Sequence, residues 1–323
     1  MTASLQERRR AATVDRTGSA EAPLLGADGP AEWFATHLRA GQAAHGEDHE
    51  GLVRPVWIGL DDLVADHGRA LGDVHRRILA GDGRGGSAQM AAKWTLSWTA
   101  GPVAALVGYV LGAGSAGLIL DRGTVRLRLH PDGWVDRAEP VGCPVAVTGE
   151  HPWAGQPGVE VVADEAELVR VTVDALVAAL RPVVDAVRGL ARVGARTLWA
   201  ELADELGLAT TYQPALPGRA EVVARLRDAV TAPAAPWRVS PSLRTTTAPW
   251  GEQVYVGQKG GCCLAYQRPA PPVPEDELTE DLREYLARFD RALPDGKHVC
   301  TTCSLRDEAG CEQRQLFWLD RRR

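Results

Sequence analysis

The cysteines of this 323-residue chain crowd toward one end: five of the six lie at or after position 262. Two are adjacent, Cys262-Cys263, and two bracket a short turn, Cys300-Thr301-Thr302-Cys303. Four thiols in two short loops constrain a fold strongly. Anything they bind together must draw those loops into contact across the 36 residues between Cys263 and Cys300.

Thiolates serve zinc and iron–sulfur centres alike, so spacing has to arbitrate. A structural zinc site usually takes two Cys-x2–4-Cys knuckles. Only Cys300/Cys303 has that form. A bare Cys-Cys dipeptide struggles to place both sulfurs on one tetrahedral ion, whereas two irons can be served by neighbours that point different ways. Gly257 and Gly260-Gly261 let the backbone come close and offer its amides to sulfur. Cys262, Cys263, Cys300 and Cys303 are therefore read as ligands of a [2Fe-2S] cluster. Cys311 is read as a bystander able to substitute, and Cys143, before Pro144, as a small core residue.

Bulk properties narrow the classes. The net charge of −6 argues against a broad nucleic-acid footprint. Residues 1–30 are polar, with Arg8-Arg9-Arg10 and no apolar core, and read as a disordered tail rather than a secretory signal. The most apolar run, Val103 to Leu120, is broken by four glycines and is no membrane span. A cytoplasmic location is expected. In a reducing compartment, clustered cysteines are metal or redox groups more often than disulfides.

The organisation reads as α+β: a mixed N-terminal α/β region, a helical middle and a C-terminal iron–sulfur-binding region. Residues 31–80 look mostly helical, with an apolar segment at Val56 to Leu60. Ala88 to Trp98 is a helix, and the period-two run Thr124 to His130 before Pro131-Asp132-Gly133 is a strand and turn. Val141 to Val147 and Val159 to Val162 add strands. Asp164 and Glu167 form a capping box for a helix that Pro182 should end or restart. Thr197 to Leu206 and Arg219 to Val230 are amphipathic helices. The expected units are a tail (1–30), a mixed and helical domain (31–240) that holds a ligand, and the cysteine region (241–323). The last carries a helical insert over 275–293, in which Leu278, Leu282 and Leu286 share a face.

The cysteine region resembles a known family. Cys262-Cys263-Leu264-Ala265-Tyr266 and Cys300-Thr301-Thr302-Cys303-Ser304-Leu305-Arg306 look like the C-terminal signature of the FhuF-like ferric siderophore reductases. Arg196-Thr197-Leu198-Trp199 looks like a Leu-Trp helix upstream in that family. The resemblance is sharp over about 50 residues and weak elsewhere. It implies a [2Fe-2S] cluster on the four cysteines and one-electron reduction of siderophore-bound Fe(III), with a hydroxamate-type complex favoured. No flavin or nicotinamide motif is present, so the electron would come from a ferredoxin or a reductase. The family has a much shorter spacer between its cysteine pairs. The alternatives are a zinc-stabilised interaction module and an iron–sulfur redox sensor without catalysis.

Other signals carry less. Gly112-Ala113-Gly114-Ser115-Ala116-Gly117 matches Gly-x-Gly-x-x-Gly, but strand and turn follow it rather than the helix a dinucleotide needs. The loop 81–86 lacks the Lys-Ser/Thr ending of a phosphate loop. His45, Asp48 and His49 have ligand-like spacing among glycines. Trp250 and Trp318 flank the cysteines and are candidates to shield them from water. Arg306, Arg314 and Arg321–Arg323 form either a solvated end or a docking patch.

Overall fold

A computed structural model describes residues 30, 56–81, 86–130, 133–211, 219–233, 235–267, 278–289 and 300–321. The expected tail, His45, Asp48 and His49, most of the loop 81–86, and parts of the 264–299 insert lie outside the described residues. Among the described residues helices dominate and three small sheets accompany them, so the α+β class holds.

The chain enters on β1 (Val56–Gly59) and α1 (Leu60–Ala80). The apolar stretch at 56–60, read as part of a helical region, is thus a strand up to Gly59. It pairs antiparallel with β3 (Val125–Leu129), which pairs with β4 (Val135–Pro140). β3 is the strand that the period-two run predicts; its partner β4 was not expected, and the strand expected over Val141 to Val147 begins only at Val145. A second sheet joins β2 (Gly117–Leu118), β5 (Val145–Thr148) and β6 (Val159–Val162).

Between these strands lie α2 (Ala88–Thr99) and α3 (Gly101–Ala113). Ser87 caps α2 by accepting the Met90 amide at 3.0 Å. No single described helix is long and apolar enough to cross a membrane; α2 and α3 reach that length only as a pair bent by 48°. At Gly112–Gly117 the chain leaves α3, turns at Ser115 (φ +47°) and enters β2, so no helix opens on the glycine motif.

The helical middle comprises α4 (Glu165–Leu190), α5 (Ala195–Gly207) and α6 (Arg219–Thr231). Asp164 accepts the Glu167 amide at 2.8 Å, and Glu167 answers from Ala163, one residue outside the cap. Pro182 neither ends nor restarts a helix; it sits inside α4. Proline forfeits a backbone hydrogen bond there. Leu176, Leu180, Val183 and Val187 bury one continuous stripe across it, and that packing outweighs the loss. Where α5 crosses α3, a Cβ on Gly108 would overlap the Leu206 carbonyl, so only glycine permits the approach.

The antiparallel pair β7 (Ser242–Thr247) and β8 (Gln253–Gln258) leads into the first cysteine loop. In the insert, α7 (Glu280–Arg288) is capped by Thr279. The shared leucine face is centred differently from the expectation. Tyr285 and Phe289 are the buried residues, flanked by Leu282 and Leu286, and they pack on Phe317 and Trp318 of α8 (Glu308–Asp320). The aromatic rings offer more area to bury than the leucines do.

Candidate metal centre

β8 delivers Lys259-Gly260-Gly261 against α5, and the chain then turns through Cys262-Cys263. A Cβ on Gly260 would overlap the Ser240 backbone, and one on Gly261 would sit 3.2 Å from both Ala200 and Asp204. The Asp204 carboxylate accepts the Gly260 amide at 2.8 Å and the Gly261 amide at 3.0 Å. After the dipeptide, Leu264 takes φ +61°, a conformation costly for a side-chain-bearing residue. That turn lets its amide donate to Cys262 Sγ at 3.4 Å.

The second loop repeats the device. Cys303 N donates to the Cys300 carbonyl at 3.2 Å, and Leu305 N donates to Cys303 Sγ at 3.4 Å. Lys259 N donates to the Thr302 carbonyl at 2.8 Å, joining the two loops. Gln258 Nε2 reaches the Cys303 and Arg306 carbonyls at 3.0 and 2.8 Å. Gln315 of α8 pairs with both backbone groups of Gly257. These bonds hold the loops together across the long insert.

Three of the four predicted thiols, Cys263, Cys300 and Cys303, come into contact, and Cys262 lies beside them. Cys263 and Cys300 are in side-chain hydrogen-bond contact, as are Cys300 and Cys303, and Cys262 lies within electrostatic reach of Cys263 and Cys303. Cys263 and Cys303 are buried; Cys262 and Cys300 are partly exposed. The hydrogen bond with Cys300, and then burial, push the Cys263 thiol well up. Cys300 is pulled down by Cys263, but its bond to Cys303 and its burial prevail and raise it to about 11. Burial raises Cys262, while the Cys300 contact lowers Cys303. Binding a metal here would therefore release protons.

Cys311 stands apart. Its buried thiol donates to the Cys303 carbonyl at 3.4 Å, and burial raises it to about 11. Cys143 is half-buried in a different place, donating to the Ile119 carbonyl at 3.4 Å.

Sequence reading missed what lies beneath the dipeptide. Lys93 of α2 donates to the Cys262 carbonyl at 2.6 Å, and the adjacent Trp94 donates from Nε1 to the Cys263 carbonyl at 2.9 Å. Lys93 is wholly buried, as are Lys259 and Glu201 to within a few per cent. Glu201 lies 3.1 Å from Lys93 and 2.9 Å from Lys259. Burial alone would raise the Glu201 carboxyl, but the two ammonium groups hold it down at about 2. One turn on, Asp204 goes the other way: burial pushes it up to about 8, against the pull of Lys259 and the two glycine amides. A signal for this layer does exist in the sequence. The chain has three lysines, and one of them, Lys93, sits inside the run Met90-Ala91-Ala92-Lys93-Trp94, which otherwise reads as buried helix.

The shielding tryptophans are also different from those expected. Trp250 packs on the β7/β8 hairpin, and Trp318 on α7; neither belongs to the apolar cluster around the thiols. That cluster contains Trp94, Trp98 and Trp134 with Val74, Ile78, Met90, Cys263 and the edge of Cys300. The flanking tryptophans are close in sequence, but α8 carries Trp318 to the far side of the insert helix. Of the C-terminal arginines, Arg306 reaches the Cys300 carbonyl at 3.5 Å, Arg314 lies over Phe289 and Arg321 pairs with Asp281 and Glu284, while 322–323 lie outside the described residues.

Three observations bear on whether these residues suit a [2Fe-2S] cluster. Four thiols are grouped, and two already accept backbone amides, as cluster thiolates do. Among the described residues, no three His, Cys, Asp or Glu side chains converge as a single metal ion requires. A two-iron cluster asks for less convergence, because each iron takes two of the four thiolates. The Thr302 hydroxyl, between the second pair of cysteines, is buried with no hydrogen-bond partner among the described residues. That hydroxyl is thus a donor whose hydrogen bond a sulfur of the group could accept. The residues fit the group. No protein-family model, curated protein or solved structure matches the chain.

Proposed function

We propose that this chain is a ferric siderophore reductase whose Cys262, Cys263, Cys300 and Cys303 hold a [2Fe-2S] cluster. The observation that carries the reading is the contact of Cys263 with the Cys300/Cys303 pair across two separate loops, with Cys262 adjacent and amide donors directed at Cys262 and Cys303. When bound, the cluster supplies one-electron transfer without bond making at the substrate.

The protein residues have four tasks. The four cysteines would hold the irons, and all-thiolate ligation would keep the potential low. Lys93 and Trp94 fix the Cys262-Cys263 backbone, and Asp204 fixes the Gly260-Gly261 approach to it. The Trp94, Trp98 and Trp134 wall excludes water from the Cys263 side. The partly exposed Cys262 would form the edge through which a docked molecule exchanges an electron.

The substrate logic is coordination chemistry. Siderophores hold Fe(III) with hard oxygen donors; Fe(II), with lower charge and softer character, is held far less tightly by the same donors. One electron thus makes sequestered iron labile. We assign a hydroxamate-type complex as substrate, a ferredoxin or reductase as donor and the cytoplasm as the place of release.

Purified protein should absorb in the visible as a [2Fe-2S] chromophore. After dithionite reduction, a ferric hydroxamate complex should reoxidise it, with one Fe(II) trapped per electron. A colourless protein that contains zinc would refute the cluster. A coloured protein that no hydroxamate, catecholate or citrate complex reoxidises would leave a redox sensor instead.

A further inference from the structure

An ammonium buried without compensation is among the most expensive groups a fold can contain. Lys93 is wholly buried, and its described partners are two: the Cys262 carbonyl at 2.6 Å and Glu201 at 3.1 Å. Lys259 shares Glu201 and also lies 3.9 Å from Glu205, which Ser97 holds at 2.9 Å. The two cations therefore differ. Lys259 faces two carboxylates of α5, whereas Lys93 is divided between one carboxylate and the backbone of a cysteine. Lys93 also acts electrostatically on the Cys262 thiol, as Lys259 does on Cys263 and Cys300, but of the two only Lys93 also bonds a cysteine's backbone through its side chain.

We propose that Lys93 is the positioning residue of the Cys262-Cys263 loop and sets the potential of the one-electron centre held there. Its hydrogen bond fixes the Cys262 carbonyl, while Trp94 fixes the next one, so consecutive residues of α2 grip consecutive residues of the loop. Its charge favours the reduced state. Reduction by one electron from a low-potential donor adds one negative charge to the thiolate-bound centre and makes or breaks no bond. A cation fixed in a low-dielectric setting stabilises that added charge far more than one in water. Glu201 keeps the ammonium in place. This inference rests on the proposed cluster and adds to it a residue that no cysteine pattern contains.

The test is a redox titration of purified, loaded protein followed by visible absorbance, with dithionite as reductant. Lys93→Gln retains a donor for the Cys262 carbonyl and removes the charge. It should hold the cluster, and its reduction should become at least tenfold less favourable, a fall of about 59 mV for a one-electron couple. Lys93→Arg keeps the charge and should stay within about threefold of the parent, less than half that shift. Arg188→Gln, an exposed charge on α4, should leave the potential unchanged. A loaded Lys93→Gln protein with the parent potential overturns the proposal. Should Lys93→Gln fail to fold, Lys93→Arg decides: a tenfold fall there as well overturns it, and retention supports it. A parent protein without a visible chromophore sinks the cluster reading instead, and this inference with it.

Discussion

The two cysteine loops are held by different chemistry. Cys262-Cys263 is fixed from below by a buried polar network that includes charge: Asp204 on the preceding glycine amides, Lys93 on a carbonyl, and Glu201 between two ammonium groups. Cys300–Cys303 is fixed from its flanks mostly by neutral hydrogen bonds, from Gln258, from Lys259 N and from Tyr285 of the insert helix. Charged networks in low dielectric are stiff and fail badly when one member is lost. Neutral contacts are worth less each and can yield singly. The first loop is therefore a rigid platform. The second is the adjustable half of the site, and the long insert bears on that half.

The largest effect that tests this contrast is on the platform. Glu201→Gln leaves two buried ammonium groups without their shared carboxylate and should cost about 3–5 kcal/mol in urea unfolding at pH 7. A cost below about 1 kcal/mol would break the comparison. The pH dependence gives the same test without a mutation. The folded carboxyl, held at about 2, lies below its ordinary 4.5. Its stabilisation is thus complete above 4.5 and is lost as pH falls toward 2. The parent should show this acid loss, and Glu201→Gln should not.

This asymmetry also explains what the sequence could reveal. The cysteine pattern is a local signal: spacing in one dimension limits what four thiols can bind, and the loops do meet. The strand β3 and the cap at Asp164 were legible for the same reason, since each depends on neighbours a few residues apart. Lys93 and Trp94 act on residues 169 positions away, and Glu201 on one 58 away. No periodicity encodes such a meeting. The rarity of lysine and its place in an apolar helix marked Lys93 as unusual without saying what it would touch. Trp250 and Trp318 misled because proximity in sequence was taken for proximity in space.

A smaller effect should appear in the adjustable loop. Tyr285→Phe removes the hydroxyl that meets Thr301 at 3.3 Å and keeps the ring among Phe289, Phe317 and Trp318. The expected cost is about 0.5–1.5 kcal/mol. More telling is where it falls. Hydrogen exchange should quicken in residues 300–306 and stay unchanged in 260–264. Equal quickening in both loops would show one cooperative unit rather than two.

The smallest effect carries a change of sign. Thr302 is 1% exposed, and its hydroxyl has no partner among the described residues. Thr302→Val replaces that hydroxyl with a methyl group of nearly the same shape. In protein without a cluster the substitution removes an unsatisfied buried group, so stability should be unchanged or rise by up to about 1 kcal/mol. If the hydroxyl donates to a sulfur of the bound cluster, the loaded protein should respond the opposite way, losing the cluster faster on exposure to a chelator. Measuring urea unfolding of the empty protein beside the decay of visible absorbance of the loaded one separates the two states. A gain in one and a loss in the other would place Thr302 on the ligand side of the adjustable loop. Parallel changes of the same sign would mean that its hydroxyl serves packing alone, and that the second loop contributes only its two thiols and the Leu305 amide.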